Sequence, residues 1–409
     1  MTDEKARRVK GKLEQSKSKL DTLLNITKAI NNNSSSNELF TILRSVLTED
    51  LEIAKLALFT NNSKKWELSL AEGVEHSVCR QINIPTLIET YSDIGIINEN
   101  TSGKYLNIFD IIIPVFHKDQ PLAYMVLADI EGEKIEISPI IKHLRFIQTL
   151  INIIVVALEN KRLNKEHIQQ VAIKKELELA QNMQSLLFPK SLPDNEMLRV
   201  KALYLPHSEV GGDYYDVISL QDGKTALCIA DVSGKGMSAA LLMANFQANL
   251  RASIKVANGI EDLIRICNKR VIESANYEKF ITLFVGIFDP VAKTLSYVNA
   301  GHQPAVLVQE KGTILLHEGC TILGMFDELP FLTSKTISLG ANDKLVCFTD
   351  GLTEIEIVKG SQLEAEGIAK LIEKKLSLTE ITNTIKETIR IVEDQLEDDI
   401  TFLAANFLS

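Results

Sequence analysis

Residues 282–299, TLFVGIFDPVAKTLSYVN, hold two short runs of apolar and β-branched residues, Thr282–Phe288 and Thr294–Asn299, around an Asp289-Pro290 turn. Runs of this length bounded by turn residues read as paired strands rather than helices. The pattern recurs on either side. Ala226–Asp231, Ala305–Gln309, Lys344–Thr349 and Ile400–Asn406 read as further strands, whereas 237–257, 260–275, 363–376 and 378–394 read as helices. Strands in hairpins with segregated helices predict an α+β fold, sandwiched sheets flanked by helices, over 191–409.

Upstream, Ile140, Leu144, Ile147, Ile151, Ile154 and Leu158 step by four and three, the spacing of a coiled-coil seam. The charged stretch Glu159–His167 breaks the register, which resumes with Ile168, Ala172, Leu179, Met183 and Leu186 until Phe188-Pro189, where proline ends the helix. Residues 140–158 alone could be a core helix of their own module. A helix that runs on past its module needs another surface for its stripe, so a parallel homodimer is expected. Ahead of it, Ser34–Ser36 starts a helix bearing Leu39, Ile42, Leu43 and Leu47, and Ala54–Thr60, Trp66–Ala71, Ile108–Phe116 and Ala123–Ile130 read as strands of a compact α+β module. Leu13, Leu20, Leu23, Ile26 and Ile30, spaced among Lys and Arg, read as an exposed or pairing helix. The division is an N-terminal helix over 1–30, a module over 31–158, a helical linker over 159–190 and a domain over 191–409.

The 409 residues are 45% hydrophobic and 24% charged, which excludes a disordered chain, a collagen-like repeat and a bare coiled-coil rod. The longest apolar stretch, Ile151 to Leu158, is interrupted by Asn152 and is far short of the roughly 20 residues of a bilayer span. The opening MTDEKARRVKGKLEQ lacks the apolar centre of a secretory signal, and Cys79, Cys228, Cys267, Cys320 and Cys347 form no CxxC pair, so a reducing cytoplasm and no structural zinc are expected. Residues 1–190 hold 24 basic and 24 acidic side chains and residues 191–409 hold 20 and 30, placing the net charge of −10 in the C-terminal half. That half is unsuited to a phosphate backbone, so nucleic acid is not the expected partner; it suits cations, or serves solubility alone.

Four acidic positions there share a context, each ending an apolar run beside glycine or another acid: Asp213, Asp231, Asp350 and Asp398. Glycine lets backbone or water come close to a carboxylate held rigidly at a strand end. Convergent aspartates point to hard cations such as Mg²⁺ or Mn²⁺, which take oxygen ligands, although each alone is equally a turn residue.

The ordered series Gly211-Gly212-Asp213-Tyr214-Tyr215-Asp216, Ala230-Asp231-Val232-Ser233-Gly234-Lys235-Gly236-Met237-Ser238-Ala239-Ala240-Leu241, Asn299-Ala300-Gly301-His302, Thr349-Asp350-Gly351-Leu352-Thr353-Glu354 and Asp398-Asp399-Ile400-Thr401 resembles the metal-dependent protein phosphatase (PPM) family, in its stage-II-sporulation and RsbU-type Ser/Thr subgroup. The resemblance covers about residues 170–409, including Ala180-Gln181 and Leu187-Phe188-Pro189. It implies a β-sandwich flanked by helices with two Mn²⁺ or Mg²⁺ ions at one end, and hydrolysis by a metal-activated water without a covalent intermediate. By motif, Asp231 would bridge the ions, the Val232 carbonyl would add a ligand, Asp350 and Asp398 would hold one ion, and Asp213 would serve the other directly or through water. Asp399 stands where many relatives have Asn and is expected in a supporting role, with Asp216 as a hydrogen-bond acceptor. His302 is either a proton donor to the leaving oxygen or a structural hydrogen-bonding residue, and Lys235 either assists or is a solvated lysine. Cys228 and Cys347, inside apolar runs, are expected to be packing residues.

Many members of the wider family fix the phosphate with an arginine shortly before the first metal motif, yet no arginine lies between Arg199 and Arg251. Slow intrinsic turnover and dependence on a docked protein substrate follow. The resemblance makes the expected substrate a phosphorylated STAS-domain anti-sigma-factor antagonist. Residues 30–158 resemble a GAF-type sensory domain, through Leu39-Phe40, Leu56-Ala57-Leu58-Phe59, Ile113-Pro114-Val115 and Leu122-Ala123-Tyr124-Met125-Val126-Leu127, and would receive a small-molecule or protein signal. Cys79 is read as an ordinary thiol rather than a chromophore attachment point. The rival reading is a non-catalytic phosphoprotein-binding scaffold with the same fold; a phosphatase of small phosphoesters would share the chemistry.

Overall fold

The computed structural model describes residues 2–62, 65–97, 105–129, 138–358, 361–362, 364–372, 376–391 and 398–408. The end of the expected strand at Ile130 and parts of the helices expected over 363–376 and 378–394 lie outside the described residues. The chain forms two compact units, Met1–Val171 and Ala172–Ser409.

In the first unit a five-stranded sheet runs in the order Lys65–Glu72, Lys55–Asn62, Gln120–Ala128, Ile111–His117, Gly95–Ile96. Every pairing is antiparallel. Alternate residues of a strand face opposite ways, so Leu56 and Leu58 pack with Ile113, Met125 and Leu127 on one face, while Ala57 and Phe59 join Tyr124, Val126, Cys79 and Leu87 on the other. The first face is covered by helix Ser36–Ser45 and by the long helix Pro139–Ser185. Ser35 starts the former with a capping box closed by Glu38, satisfying two main-chain N–H groups that the first helical turn leaves free. Helices His76–Cys79 and Ile84–Thr90 belong to the second face and were not expected from spacing.

The long helix corrects one expectation. Ile140, Ile147, Ile151 and Ile154 are buried in the core of their own unit, so the seam over 140–158 is used there. The helix continues through Glu159–His167, as expected of a helical linker. Arg162 lies between Glu159 and Glu166, both 2.6 Å away at spacings of three and four residues, and the stretch is a charged face of a continuous helix. Ile168, Leu179, Met183 and Leu186 beyond it are exposed. Among the described residues this helix alone has a window long and apolar enough to cross a membrane; its apolar residues Ile147, Leu150, Ile151, Ile154 and Val155 are core residues instead.

The second unit is a four-layer α-β-β-α arrangement. One sheet runs Gly319–Cys320, Thr294–Ala300, Ile281–Asp289, Thr225–Val232, Tyr214–Ser219, with Lys335–Ser338 also paired to Thr294–Ala300. The other runs Gly312–Leu316, Ala305–Gln309, Asp343–Phe348, Ile400–Phe407, Leu198–Leu205. Leu227, Ile229, Phe284, Phe288 and Tyr297 of the first face Leu307, Leu345, Cys347, Leu403 and Phe407 of the second, a dry interior of the kind that holds sandwiches together. Helices Met237–Ser253 and Ile260–Ala275 cover the first sheet through Met243, Phe246, Leu250 and Ile264; helices Glu364–Leu371 and Leu378–Ile391 cover the second through Ile368, Ile381, Ile385 and Ile389. The expected strands and helices are present, and Leu198–Leu205, Tyr214–Ser219, Gly312–Leu316 and Lys335–Ser338 are strands beyond that expectation.

Candidate active site

Sheet register delivers the aspartates to one end of the sandwich. Asp231 is the penultimate residue of its strand and pairs with Thr282, while Tyr214 pairs with Ala230, which puts Asp213 beside Asp231. In the facing sheet Phe348 pairs with Phe402, so Asp350 leaves one strand where Asp398 and Asp399 enter the other. Asp350 is not itself a strand end: it opens the short helix Asp350–Thr353.

The two sheets are tied together here. Asp213 is 1% exposed, and its Oδ2 accepts hydrogen bonds from Thr349 Oγ1 at 2.8 Å and Thr401 Oγ1 at 2.6 Å, both from the opposite sheet. Thr401 N–H in turn donates to Thr349 Oγ1 at 2.9 Å. Neither threonine had been given a role from the sequence, although both stand inside the quoted motifs; contact across two sheets leaves no local pattern.

Burial first, and then the charge of Asp231, pushes the Asp213 carboxyl well above the ordinary carboxylate range. Burial together with the charges of Asp350 and Asp398 pushes Asp231 up to about 7, while a hydrogen bond from Asp213 opposes the rise. Asp213 and Asp231 therefore retain a proton between them at a pH where isolated aspartates have lost theirs. Asp350 is raised by burial and by Asp398, and Asp399 chiefly by burial.

Asp399 is occupied by the main chain. Its Oδ1 accepts from His207 N–H at 2.8 Å and its Oδ2 from Gly212 N–H at 2.7 Å. Gly212 has no room for a side chain, because a Cβ would lie 2.9 Å from the Val232 carbonyl oxygen. That carbonyl and the carboxylates of Asp213, Asp231, Asp350 and Asp398 form an all-oxygen donor set, the chemistry that hard divalent cations require. Among the described residues no three His, Cys, Asp or Glu side chains already converge at ligating distance. Burial first, and then mutual repulsion, raises these carboxyls, and a cation held among them would offset both.

Lys235 is not simply solvated: its Nζ lies 3.0 Å from Asp398 Oδ2. Arg251 is committed elsewhere, donating from Nε at 2.7 Å and from its second terminal nitrogen at 2.9 Å to Asp216, which also accepts from the Tyr214 hydroxyl. Asp216 is thus the buried acceptor expected. His302 bonds through Nδ1 to Thr282 Oγ1 at 2.7 Å, and its Nε2 is buried without a hydrogen-bond partner. Burial lowers its pKa to about 4. Cys228 and Cys347 are buried packing residues whose thiols burial pushes up.

A stability prediction follows from Asp231. Its folded-state pKa of about 7 exceeds the unfolded value of 3.8, so between these values the folded protein holds a proton that the unfolded chain has released. Stability of the metal-free protein falls as pH rises through that window. Thermal unfolding in EDTA should give a lower Tm at pH 8 than at pH 5, and Asp231→Asn should reduce the difference. A Tm that rises over this range would contradict the assignment.

The family model for stage II sporulation protein E (SpoIIE) matches residues 221–408. The chain is 28% identical over 239 residues to "Phosphoserine phosphatase RsbU" of Bacillus subtilis (strain 168), covering 57% of this chain and 70% of that protein. It is 28% identical over 186 residues to "Phosphoserine phosphatase RsbP" of the same strain, covering 44% of this chain and 46% of that protein. Among solved structures, the SiaA-PP2C domain of Pseudomonas aeruginosa is similar with a TM-score of 0.50 and 18% identity, over 58% of this chain and 98% of that domain, which speaks to the fold. The C-terminal half is similar to the SpoIIE domain, and the chain is similar to proteins named phosphoserine phosphatases.

Proposed function

We propose that the protein is a cytoplasmic, metal-dependent phosphatase of phosphoserine or phosphothreonine in a partner protein, regulated through its first unit. The observation that carries this reading is the placement of Asp213, Asp231, Asp350 and Asp398 at one end of the sandwich, with Asp213 buried and held by Thr349 and Thr401. Two Mn²⁺ or Mg²⁺ ions held by Asp231, Asp350, Asp398, Val232 and Asp213 would supply the positive charge that acidifies an attacking water and neutralises the phosphate.

The chain's own residues prepare that chemistry. Asp213 is fixed beside Asp231 by Thr349 and Thr401, and a bound cation would favour the ionised form of both carboxyls. Asp399 shapes the loop over 207–213 through two main-chain N–H groups. Lys235, half-exposed beside Asp398, is the cationic side chain placed to meet a phosphate oxygen in the absence of a nearby arginine.

The substrate class comes from the relatives named phosphoserine phosphatases. A phosphorylated STAS-domain anti-sigma-factor antagonist is the specific partner we propose, from the resemblance to RsbU-type enzymes. The antiparallel sheet with helices on both faces supports a GAF-like sensor in the first unit, receiving a small-molecule or protein signal. The exposed Ile168, Leu179, Met183 and Leu186 support pairing of two chains along the linker. The test is phosphate release by the full chain from a phosphoserine peptide with Mn²⁺, with Mg²⁺ and with EDTA. Metal-dependent release that survives thiol alkylation is expected; silence at every metal concentration, with metal shown to bind, would favour the scaffold.

A further inference from the structure

The loop that carries Asp213 is held from two sides. On one side stands Asp399, which accepts the Gly212 N–H. On the other stands Gln184, in the last turn of helix Pro139–Ser185 and 7% exposed. Its Nε2 donates to the Gly211 carbonyl at 2.7 Å, and its Oε1 accepts the Gly211 N–H at 3.2 Å. The carboxamide thus meets both polar groups of one residue, much as a neighbouring strand would. Glutamine alone combines that donor, that acceptor and that reach; glutamate keeps only the acceptor when ionised.

Nothing at this point can slip without moving the aspartates. A Cβ on Gly211 would collide with Asp399 Oδ2 and the Tyr204 hydroxyl, so the backbone is closely enclosed. The helix end is itself anchored: Phe188 packs against the rings of Tyr204, Tyr215 and Tyr214 at 4.6, 5.2 and 6.1 Å. Gln247, from the helix that follows the Asp231 motif, donates to the Leu187 carbonyl at 3.2 Å. Gln181, Asn182, Met183 and Ser185 are exposed, leaving Gln184 as the inward residue of its turn.

We infer that Gln184 is a positioning residue of the catalytic centre: it ties the end of the long helix to Gly211 and so sets the place of Asp213 and, through Gly212, of Asp399. The inference rests on reading the aspartate cluster as that centre. It also identifies the bond through which a displaced helix would act on the metal-holding loop.

The experiment uses the full chain as wild type, Gln184→Ala, Gln184→Glu and, as a control on the exposed face, Gln181→Ala. Amide hydrogen exchange is followed without metal, Mn²⁺ binding by calorimetry, and Mn²⁺-dependent hydrolysis of an aryl phosphate for kcat and metal half-saturation. In Gln184→Ala, exchange over 207–216 should quicken about tenfold while 281–289 keeps its protection. Its Mn²⁺ affinity should fall about 10–100-fold, the effect of losing a residue that orients ligands. Gln184→Glu should lie between, and Gln181→Ala should match wild type. Wild-type exchange and Mn²⁺ affinity in Gln184→Ala would overturn the inference, as would loosening spread equally to 281–289 in both Gln184 variants. If Gln184→Ala does not fold, Gln184→Glu decides on the same criteria. A wild type that binds Mn²⁺ but hydrolyses nothing would refute the phosphatase reading alone, since exchange and binding still judge Gln184.

Discussion

Asp231→Ala should lose Mn²⁺-dependent phosphate release by about 10³-fold or more while remaining folded. The loss is large because Asp231 is the carboxylate on which the electrostatics converge, next to Asp213 and within reach of the charges of Asp350 and Asp398. Removing it takes away a ligand and the partner of the shared proton together, and transition-state charge stabilisation is commonly the largest catalytic contribution. The fold should not suffer in proportion. Like charges crowd this end of the sandwich, so the metal-free variant should be at least as stable as wild type at pH 8. The check is a pair of measurements on one preparation, phosphate release with Mn²⁺ and thermal unfolding in EDTA. Retained turnover would displace Asp231 from the centre, whereas collapse of the fold would make it a structural residue.

Gly351→Ala should be damaging without changing any charge. A Cβ at this buried glycine would collide with the main-chain carbonyl oxygen of Asp399 and lie 3.0 Å from its carbon. No side chain can rotate out of the way, so the helix Asp350–Thr353 and the segment entering Ile400–Phe407 must separate, and each carries site aspartates. Overpacking of this kind costs about 1–3 kcal/mol, and a displacement of about 1 Å at reacting groups can cost about 100-fold in rate. Gly223→Ala is the contrast: its φ is +81° but nothing lies within 4 Å of a Cβ, so only the modest strain of its turn is expected. Denaturation midpoints and turnover of the two variants check this. Equal effects would mean that backbone strain, not collision at Asp399, governs Gly351.

The strands around Asp289-Pro290 and the helices over 237–257 and 260–275 were legible because each shows its own period over a sufficient length. Leu198–Leu205 and Tyr214–Ser219 were less so. The former, at an edge, carries charges within its alternation, and the latter merges into the acidic motif that drew attention to the metal chemistry. The four-and-three spacing over 140–158 cannot distinguish a coiled-coil seam from a helix packed on its own sheet, since both need one apolar stripe; the burial of Ile147 and Ile151 decides for the sheet. The aspartates were visible as residues, and their order along the chain marked the resemblance. Their supports were not. Thr401 meets Asp213 across 188 residues of chain, Thr349 meets it across 136, and Gln184 meets Gly211 through backbone atoms that no side-chain pattern records.

The central claim is that the cluster around Asp231 exchanges a retained proton for a divalent cation. The most direct measurement is calorimetric titration of the metal-free full chain with Mn²⁺ near pH 6.5, in buffers of different ionisation enthalpy, on wild type and Asp231→Asn. Net proton release is predicted for wild type, because Asp231 is raised to about 7 and Asp213 is raised beside it. Asp231→Asn should bind Mn²⁺ far more weakly. Binding without proton release, or equal affinity in the two proteins, would contradict the claim.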